Sequence, residues 1–282
     1  MTNAPLLSFC NELLAFEGLS LAEQASICAS LGYQGLEVAP ETLGETPHLI
    51  PADEAARLRA AVENEGLRVT GLHWLLRPYP ELCITSLFQT VQKSTQDTLL
   101  GLLDLCAELG GTVMVHGSPG QRRRDPNEPP ASTLTRVADF FRPIAEAAGE
   151  RGITYCIEPL SRHETNFINT VDEAEELVSL VDHPAFLTMI DTSAAGLTED
   201  RPVADLIRDK LPGGRIGHIQ LNDTNRGAPG TGDDPFEDIL TAIRESGWNE
   251  PLAVEPFVVT GDARTTAACA ATTVKSLWEA AR

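Results

Sequence analysis

The sequence predicts an α/β protein built as a single (β/α)8 barrel, and two observations carry this prediction. Along the 282 residues, short apolar runs of strand character alternate eight times with longer amphipathic runs of helical period. Each unit takes roughly 35 residues, which matches barrels of about 250 residues. No stretch has the composition of a linker, so residues 1–282 are expected to form one domain.

The eight predicted strands are apolar over most of their length, as expected where helices cover both faces of a parallel sheet. They are Leu6–Phe9, Gly35–Ala39, Arg68–Trp74, Thr112–His116, Thr154–Leu160, Leu187–Thr192, Ile216–Asp223 and Leu252–Phe257. The seventh strand contains His218, ends in Asp223 and opens into a glycine-rich loop. Because a buried His or Asp costs free energy unless it is paired, this strand indicates a hydrogen-bond network or a metal.

The predicted helices have recognisable start and stop signals, such as the capping box of Ser20 and Glu23 and the glycines at 110, 111 and 152. They are Ser20–Leu31, Ala52–Glu65, Ser86–Leu109, Ser132–Arg151, Val171–Val181, Val203–Leu211, Pro235–Ser246 and Asp262–Ala281. A doubly wound open sheet shows the same alternation and is the main alternative fold. The commonest ligand-binding signature of that fold is a G-x-G-x-x-G motif after the first strand, and this sequence has none there.

The charge balance argues against a nucleic-acid partner. The formal net charge is -20, whereas phosphate binding requires clustered Lys and Arg. The one compact basic run, Arg122–Arg124, is expected to be a solvated loop.

The cysteines and the start of the chain predict a cytoplasmic protein without a membrane span. Six cysteines are scattered with no C-x-x-C pair, which is typical of reduced thiols. The first residues have no basic segment followed by a long apolar one, as a signal peptide would. No run approaches the roughly 18 apolar residues of a membrane helix.

Six consecutive predicted strands have ionisable residues at or near their carboxyl ends. These residues are His73, His116, Glu158, Asp191, His218 with Asp223, and Glu255. In a barrel those ends meet at one rim, which carries the active site. Each residue alone has a structural explanation, as a satisfied histidine or a helix cap. Several carboxylates converging without compensation would repel one another, however.

A divalent cation would remove that repulsion. Glu158, Asp191, His218 and Glu255 offer three carboxylates and one imidazole, a set that suits one Mn, Mg or Co ion and is also compatible with Zn or Fe. Three acids exceed the charge of a dication by one, which leaves a basic carboxylate for proton chemistry.

Four motifs in order carry a resemblance to a known family. They are IEPL at 157–160, IDT at 190–192, HIQLND at 218–223 followed by RGAPGTG at 226–232, and VEP at 254–256. Their metal-ligand candidates are 33, 27 and 37 residues apart. The chain resembles the xylose isomerase-like TIM-barrel superfamily of sugar isomerases and epimerases, especially ketose 3-epimerases and hydroxypyruvate isomerase.

The resemblance implies one metal bound by Glu158, Asp191, His218 and Glu255. It further implies that the two glutamates shuttle protons on opposite faces of a ketose or small hydroxy-keto compound through an enediolate. Arg226 resembles the loop arginine that holds substrate hydroxyls. His73, His116 and Trp74 are further candidates for substrate binding, although buried structural roles are open for each of them.

The resemblance also implies a small-molecule sugar or keto-acid partner and allows a homodimer or homotetramer. Two positions depart from the family pattern. A His that often follows the metal Asp by three residues is Ala194 here, and the His-x-His of the seventh strand ends in Gln220. The first change removes a substrate contact, so a six-carbon ketose does not follow from the resemblance.

Three alternative functions stay open. An endonuclease IV-like phosphodiesterase shares the barrel but needs three zinc ions, the His that is absent at Ala194, and an Asp-x-His motif where this chain has Gly232–Pro235. A lyase of the inosose dehydratase type would use the same metal to eliminate water. A non-catalytic sugar-binding barrel would keep the ligands without turnover.

Overall fold

A closed barrel of eight parallel strands forms the centre of the molecule. The computed structural model describes residues 5–280. The strands are β1 Leu7–Cys10, β2 Gly35–Val38, β3 Arg68–Leu72, β4 Val113–His116, β5 Thr154–Ile157, β6 Phe186–Asp191, β7 Ile216–Leu221 and β8 Leu252–Val254. Each strand pairs in parallel with the next, and β1 pairs with β8. This closure confirms the predicted (β/α)8 barrel and excludes the open sheet.

Ten α-helices surround the barrel in the described part of the chain. They are α1 Glu12–Phe16, α2 Leu21–Ser30, α3 Ala52–Glu63, α4 Gln89–Leu109, α5 Pro130–Glu150, α6 Val171–Val181, α7 Thr192–Thr198, α8 Val203–Lys210, α9 Phe236–Glu245 and α10 Ala263–Ala280. Eight of them correspond to the predicted helices, and the capping box of Ser20 and Glu23 is present. The predicted end of the last helix, Ala281, lies outside the described residues.

The two helices that were not predicted, α1 and α7, follow directly on β1 and β6. Helix α7 begins at the end of β6, where the Asp191 side chain accepts a hydrogen bond from the Ala194 N–H at 2.6 Å. None of the helices within residues 5–280 is long and apolar enough to cross a membrane.

Strand alternation divides the core into two parts. Ile190 belongs to the large apolar cluster between the sheet and the helices. Its neighbour Met189 packs with Val113, Val115 and Cys156 in a small separate cluster, which fills part of the barrel interior. The remaining interior is polar, since Glu37, His73, His218 and Gln220 are all buried there. The polar interior lies beneath the rim where the predicted functional residues meet.

The structure corrects the prediction of a solvated loop at Arg122–Arg124. Arg122 is fully buried, and its guanidinium donates hydrogen bonds to four main-chain carbonyls, at His116, Glu158, Phe167 and Ile168. Arg123 is exposed, as predicted. The planar guanidinium carries five donors and suits this task. Arg122 therefore ties the carboxyl ends of β4 and β5 to the loop that follows β5.

We predict that Arg122→Met lowers the free energy of unfolding by about 2–5 kcal/mol, because buried carbonyls lose their donors. Urea unfolding followed by circular dichroism measures the change. The matched control is Arg123→Met on the exposed neighbour, which should change stability by no more than about 0.5 kcal/mol. Equal unfolding midpoints for the two variants would contradict the anchoring role of Arg122.

Candidate active site

Three carboxylates converge at the carboxyl ends of the barrel strands. Glu158 follows β5, Asp191 ends β6 and Glu255 follows β8. One oxygen from each lies within 4.8 Å of the others, and all three residues are buried. The structure thus brings together three of the four residues that the sequence predicts as metal ligands.

Hydrogen bonds donated by Asn222 and Arg122 hold this acid cluster of Glu158, Asp191 and Glu255 in place. Asn222 Nδ2 donates to Asp191 Oδ2 at 2.8 Å and to the Glu255 carbonyl at 3.1 Å. The carbonyl of Glu158 accepts from Arg122. A side chain at position 117 would overlap the Glu158 carboxylate, so Gly117 allows the carboxylate to lie against the backbone.

Burial favours the protonated form of every member of the acid cluster. It raises the pKa of Asp191 to about 6, against the hydrogen bonds that Asp191 accepts from Ala194 and Asn222. Burial, followed by repulsion from Asp191, raises the pKa of Glu158 well above its usual range. Burial, followed by repulsion from Glu158 and Asp191, does the same for the pKa of Glu255. A divalent cation fits this set, because it would offset the repulsion and because hard cations prefer oxygen ligands.

The structure does not bring His218 into the acid cluster. His218 stands in register with Met189 of β6, whereas Gln220 stands in register with Asp191. Its Nε2 lies 2.8 Å from Oε2 of Glu37, although the two atoms are not aligned as a hydrogen bond. His218 is therefore one interior layer below the rim, where it faces Glu37.

His73 is also beneath the rim and does not line the cavity above it. Its Nε2 lies 2.9 Å from Glu12 Oε2 and 3.9 Å from Glu255 Oε1. Burial alone would lower the pKa of His73, but Glu12 and Glu37 raise it. Cys10, Glu12 and His73 form a second buried group close enough to hold an ion. His73 therefore lies below Glu255 and is hydrogen-bonded to Glu12.

His116 lies outside the barrel interior. Its Nδ1 is 2.7 Å from Tyr155 Oη, and its ring is edge-on to Phe141. Burial and the nearby Arg122 lower the pKa of His116 to about 3. Val115 faces the interior, so alternation turns His116 toward the helices. The structure therefore does not place His116 where it could contact a substrate in the cavity.

A cavity of about 250 Å³ lies above Glu158 and Asp191 of the acid cluster, which form part of its lining. Trp74 and Phe257 stack in its wall with ring centroids 5.7 Å apart. Arg226 lies 4.1 Å above the Phe257 ring and donates to Glu164 Oε1 at 2.9 Å. The cavity is lined by Trp74, Arg77, Gly117, Ser118, Pro119, Glu158, Leu160, Glu164, Asp191, Ser193, Ala194, Asn222, Arg226 and Phe257.

Two of the residues predicted to bind substrate, Trp74 and Arg226, line this cavity. Both have positive φ angles, 54° and 65°, which are uncommon for residues other than glycine and often occur at functional sites. Glu37, Glu164 and Phe257 were not predicted from the sequence as residues of the site. A signal existed for Glu37, which is a charged residue within an otherwise apolar strand, and for Phe257, which ends the eighth predicted strand.

Comparisons with known proteins agree with this architecture. A family model described as xylose isomerase-like TIM barrel matches residues 25–275. D-psicose 3-epimerase of Ruminiclostridium cellulolyticum is 28% identical over 237 residues, which cover 83% of this chain and 77% of the relative. A protein of Streptomyces coelicolor named as a hydroxypyruvate isomerase by similarity is 25% identical over 264 residues, covering 87% and 88% of the two chains.

Solved structures share the fold. The crystal structure of D-allulose 3-epimerase from Methylomonas sp. superposes with a TM-score of 0.79 at 18% identity, covering 98% of this chain and 99% of that one. At this level of identity the similarity concerns the barrel and its connections.

The raised pKa values predict an unusual pH dependence for the metal-free protein. Because the folded carboxyls bind protons more tightly than the unfolded ones, stability should fall as the pH rises from about 4, the ordinary carboxyl range, through the pKa of about 6 of Asp191. Glu158→Gln should flatten this decline and, at pH 7, raise the free energy of unfolding by on the order of 1 kcal/mol.

Urea unfolding of the chelator-treated protein across that pH range provides the measurement. The exposed Glu146→Gln serves as the control and should follow the wild type. A metal-free wild type that becomes more stable between pH 4 and pH 7, with no effect of Glu158→Gln, would contradict the repulsion within the acid cluster.

Proposed function

The chain belongs to the xylose isomerase-like TIM-barrel family, and we propose that it is a divalent-metal-dependent epimerase or isomerase of a ketose or small hydroxy-keto compound. The observation that carries this proposal is the convergence of three buried carboxylates at the rim, where two of them, Glu158 and Asp191, line a small cavity. Relatives named as ketose 3-epimerases and as a hydroxypyruvate isomerase support the reaction class.

Glu158, Asp191 and Glu255 would hold one cation, for which Mn, Mg or Co is the best match to oxygen ligands. Bound there, the cation supplies Lewis-acid stabilisation of negative charge that develops on the carbonyl oxygen of the substrate. The sequence-based proposal of His218 as a ligand has no support from its position, because His218 faces Glu37 one layer lower.

Glu158 and Glu255 carry the proton chemistry in this proposal. They approach the acid cluster from β5 and β8, which lie on different sides of the barrel mouth. One glutamate removes the proton next to the substrate carbonyl, and the other returns a proton to the opposite face or to the adjacent atom.

The cavity wall favours a small, partly polar substrate. The stacked rings of Trp74 and Phe257 offer an apolar face, and Arg226 is fixed beside them by Glu164. Ala194, at the position of the family histidine, leaves a short side chain in the lining. A sugar or keto acid that presents a hydrophobic face and several oxygens suits this combination.

The loop after β7 does not favour a trinuclear phosphodiesterase. Asp234 accepts hydrogen bonds from the backbone N–H and the hydroxyl of Thr224 at 2.6 and 3.0 Å. Its carboxylate thus serves the loop itself, and the loop contains no histidine.

Deuterium exchange at the carbon next to the carbonyl tests the proposed function. With Mn²⁺, Mg²⁺ or Co²⁺ and a panel of ketoses and keto acids in deuterated water, the wild type should catalyse exchange. Glu158→Gln and Glu255→Gln should each reduce exchange by at least about 10²-fold, because each removes an acid–base group.

The exposed Glu150→Gln is the control and should exchange at the wild-type rate. Exchange at the wild-type rate in both site variants would exclude the two-glutamate mechanism. Loss of water from the substrate instead of epimerisation would identify a lyase.

A further inference from the structure

We propose that the amide oxygen of Gln220, and not an imidazole nitrogen, is the fourth protein ligand of the metal centre, so that all of its protein ligands are oxygens. This inference rests on the proposed metal site at Glu158, Asp191 and Glu255. It assigns a binding role to a residue at which the chain departs from the His-x-His pattern of its family.

Strand register separates Gln220 from His218. Gln220 lies beside Asp191 in the parallel pairing of β6 and β7, and side chains paired in this way project from the same face of the sheet. His218 lies two residues earlier, about 6.6 Å toward the amino end of the strand. Gln220 is therefore the β7 side chain at the level of the acid cluster.

A bulge in β7 produces this register. The pairing shifts between Thr188 and Met189, so that Gly217 has no partner on β6. A Cβ atom at Gly217 would lie 2.7 Å from Thr154 Cγ2 and 2.9 Å from Cys156 Sγ, so only glycine fits the bulge without displacing its neighbours. Without the bulge, Ile219 would stand opposite Asp191.

A hydrogen bond to Glu37 sets the orientation of the Gln220 amide. Its Nε2 donates to Glu37 Oε1 at 2.9 Å. The reversed orientation would set the amide oxygen against the Glu37 carboxylate, which is unfavourable because neither atom can donate. The amide oxygen, Oε1, is consequently directed away from Glu37. It is buried and has no hydrogen-bond partner among residues 5–280.

The imidazole of His218 faces Glu37 and not the acid cluster. Its Nε2 lies 2.8 Å from Oε2 of Glu37, the carboxylate that also accepts the hydrogen bond from the Gln220 amide. A centre with a carbonyl oxygen in place of imidazole is harder, and we expect it to favour Mn²⁺ and Mg²⁺ over Zn²⁺ more than an imidazole-containing centre does.

Electron spin-echo envelope modulation of the Mn²⁺-loaded protein tests the assignment, because a coordinated imidazole nitrogen gives a characteristic ¹⁴N coupling. The wild type should lack this coupling, and Gln220→His should acquire it. His218→Gln should leave the wild-type spectrum unchanged. The spectrum of the wild type is decisive even where a variant fails to fold.

Mn²⁺ titration provides a second readout. Gln220→Leu should weaken Mn²⁺ binding by at least about tenfold, whereas the control His218→Gln should change it by less than about threefold. A coordinated imidazole in the wild type, or unchanged Mn²⁺ affinity in a folded Gln220→Leu, would overturn the assignment and leave the proposed function standing. Failure of the wild type to bind any divalent cation would overturn both.

Discussion

The mutual repulsion of three buried carboxylates is the constraint on which the rest of the site depends. Glu158, Asp191 and Glu255 come from three strands and place oxygens within 4.8 Å of one another. Such an arrangement is unfavourable unless the surrounding structure enforces it or a cation neutralises it. The protein enforces it with Arg122, which binds the carbonyl of Glu158, and with Asn222, which bridges Asp191 and Glu255.

Beneath the acid cluster lies a polar layer that is unusual for a barrel core. Glu37 contacts His218 and Gln220, and His73 lies between Glu12 and Glu255. His218 and His73 lower the pKa of Glu37 against the effect of its burial, so it is held as a carboxylate. A fixed negative charge at this level orients the side chains above it, which preorganises the rim for binding and proton transfer.

The sequence was sufficient to predict the barrel and the acid cluster. Both depend only on the alternation of strands with helices and on which strands end in acidic residues. Alternating strands and helices require closure, and the carboxyl ends of parallel strands must meet. The sequence could not show whether His218 or Gln220 lies at the level of the acid cluster, because a bulge at Gly217 sets which residue pairs with Asp191. In the same way, the sequence could not show which face of the sheet His116 points to, because side chains alternate between the two faces and a shift of one residue reverses them. The burial of Arg122 could not be predicted either, because its hydrogen-bond partners are main-chain carbonyls, which no sequence pattern marks.

The central claim is that the acid cluster holds a single divalent cation. The most direct measurement is the metal content of the protein after Mn²⁺ loading and exhaustive dialysis, by mass spectrometry, for the wild type and for Asp191→Asn. We expect one ion per chain in the wild type and its loss in the variant. No bound ion in the wild type, or an ion that Asp191→Asn retains undiminished, would contradict a metal site at the acid cluster.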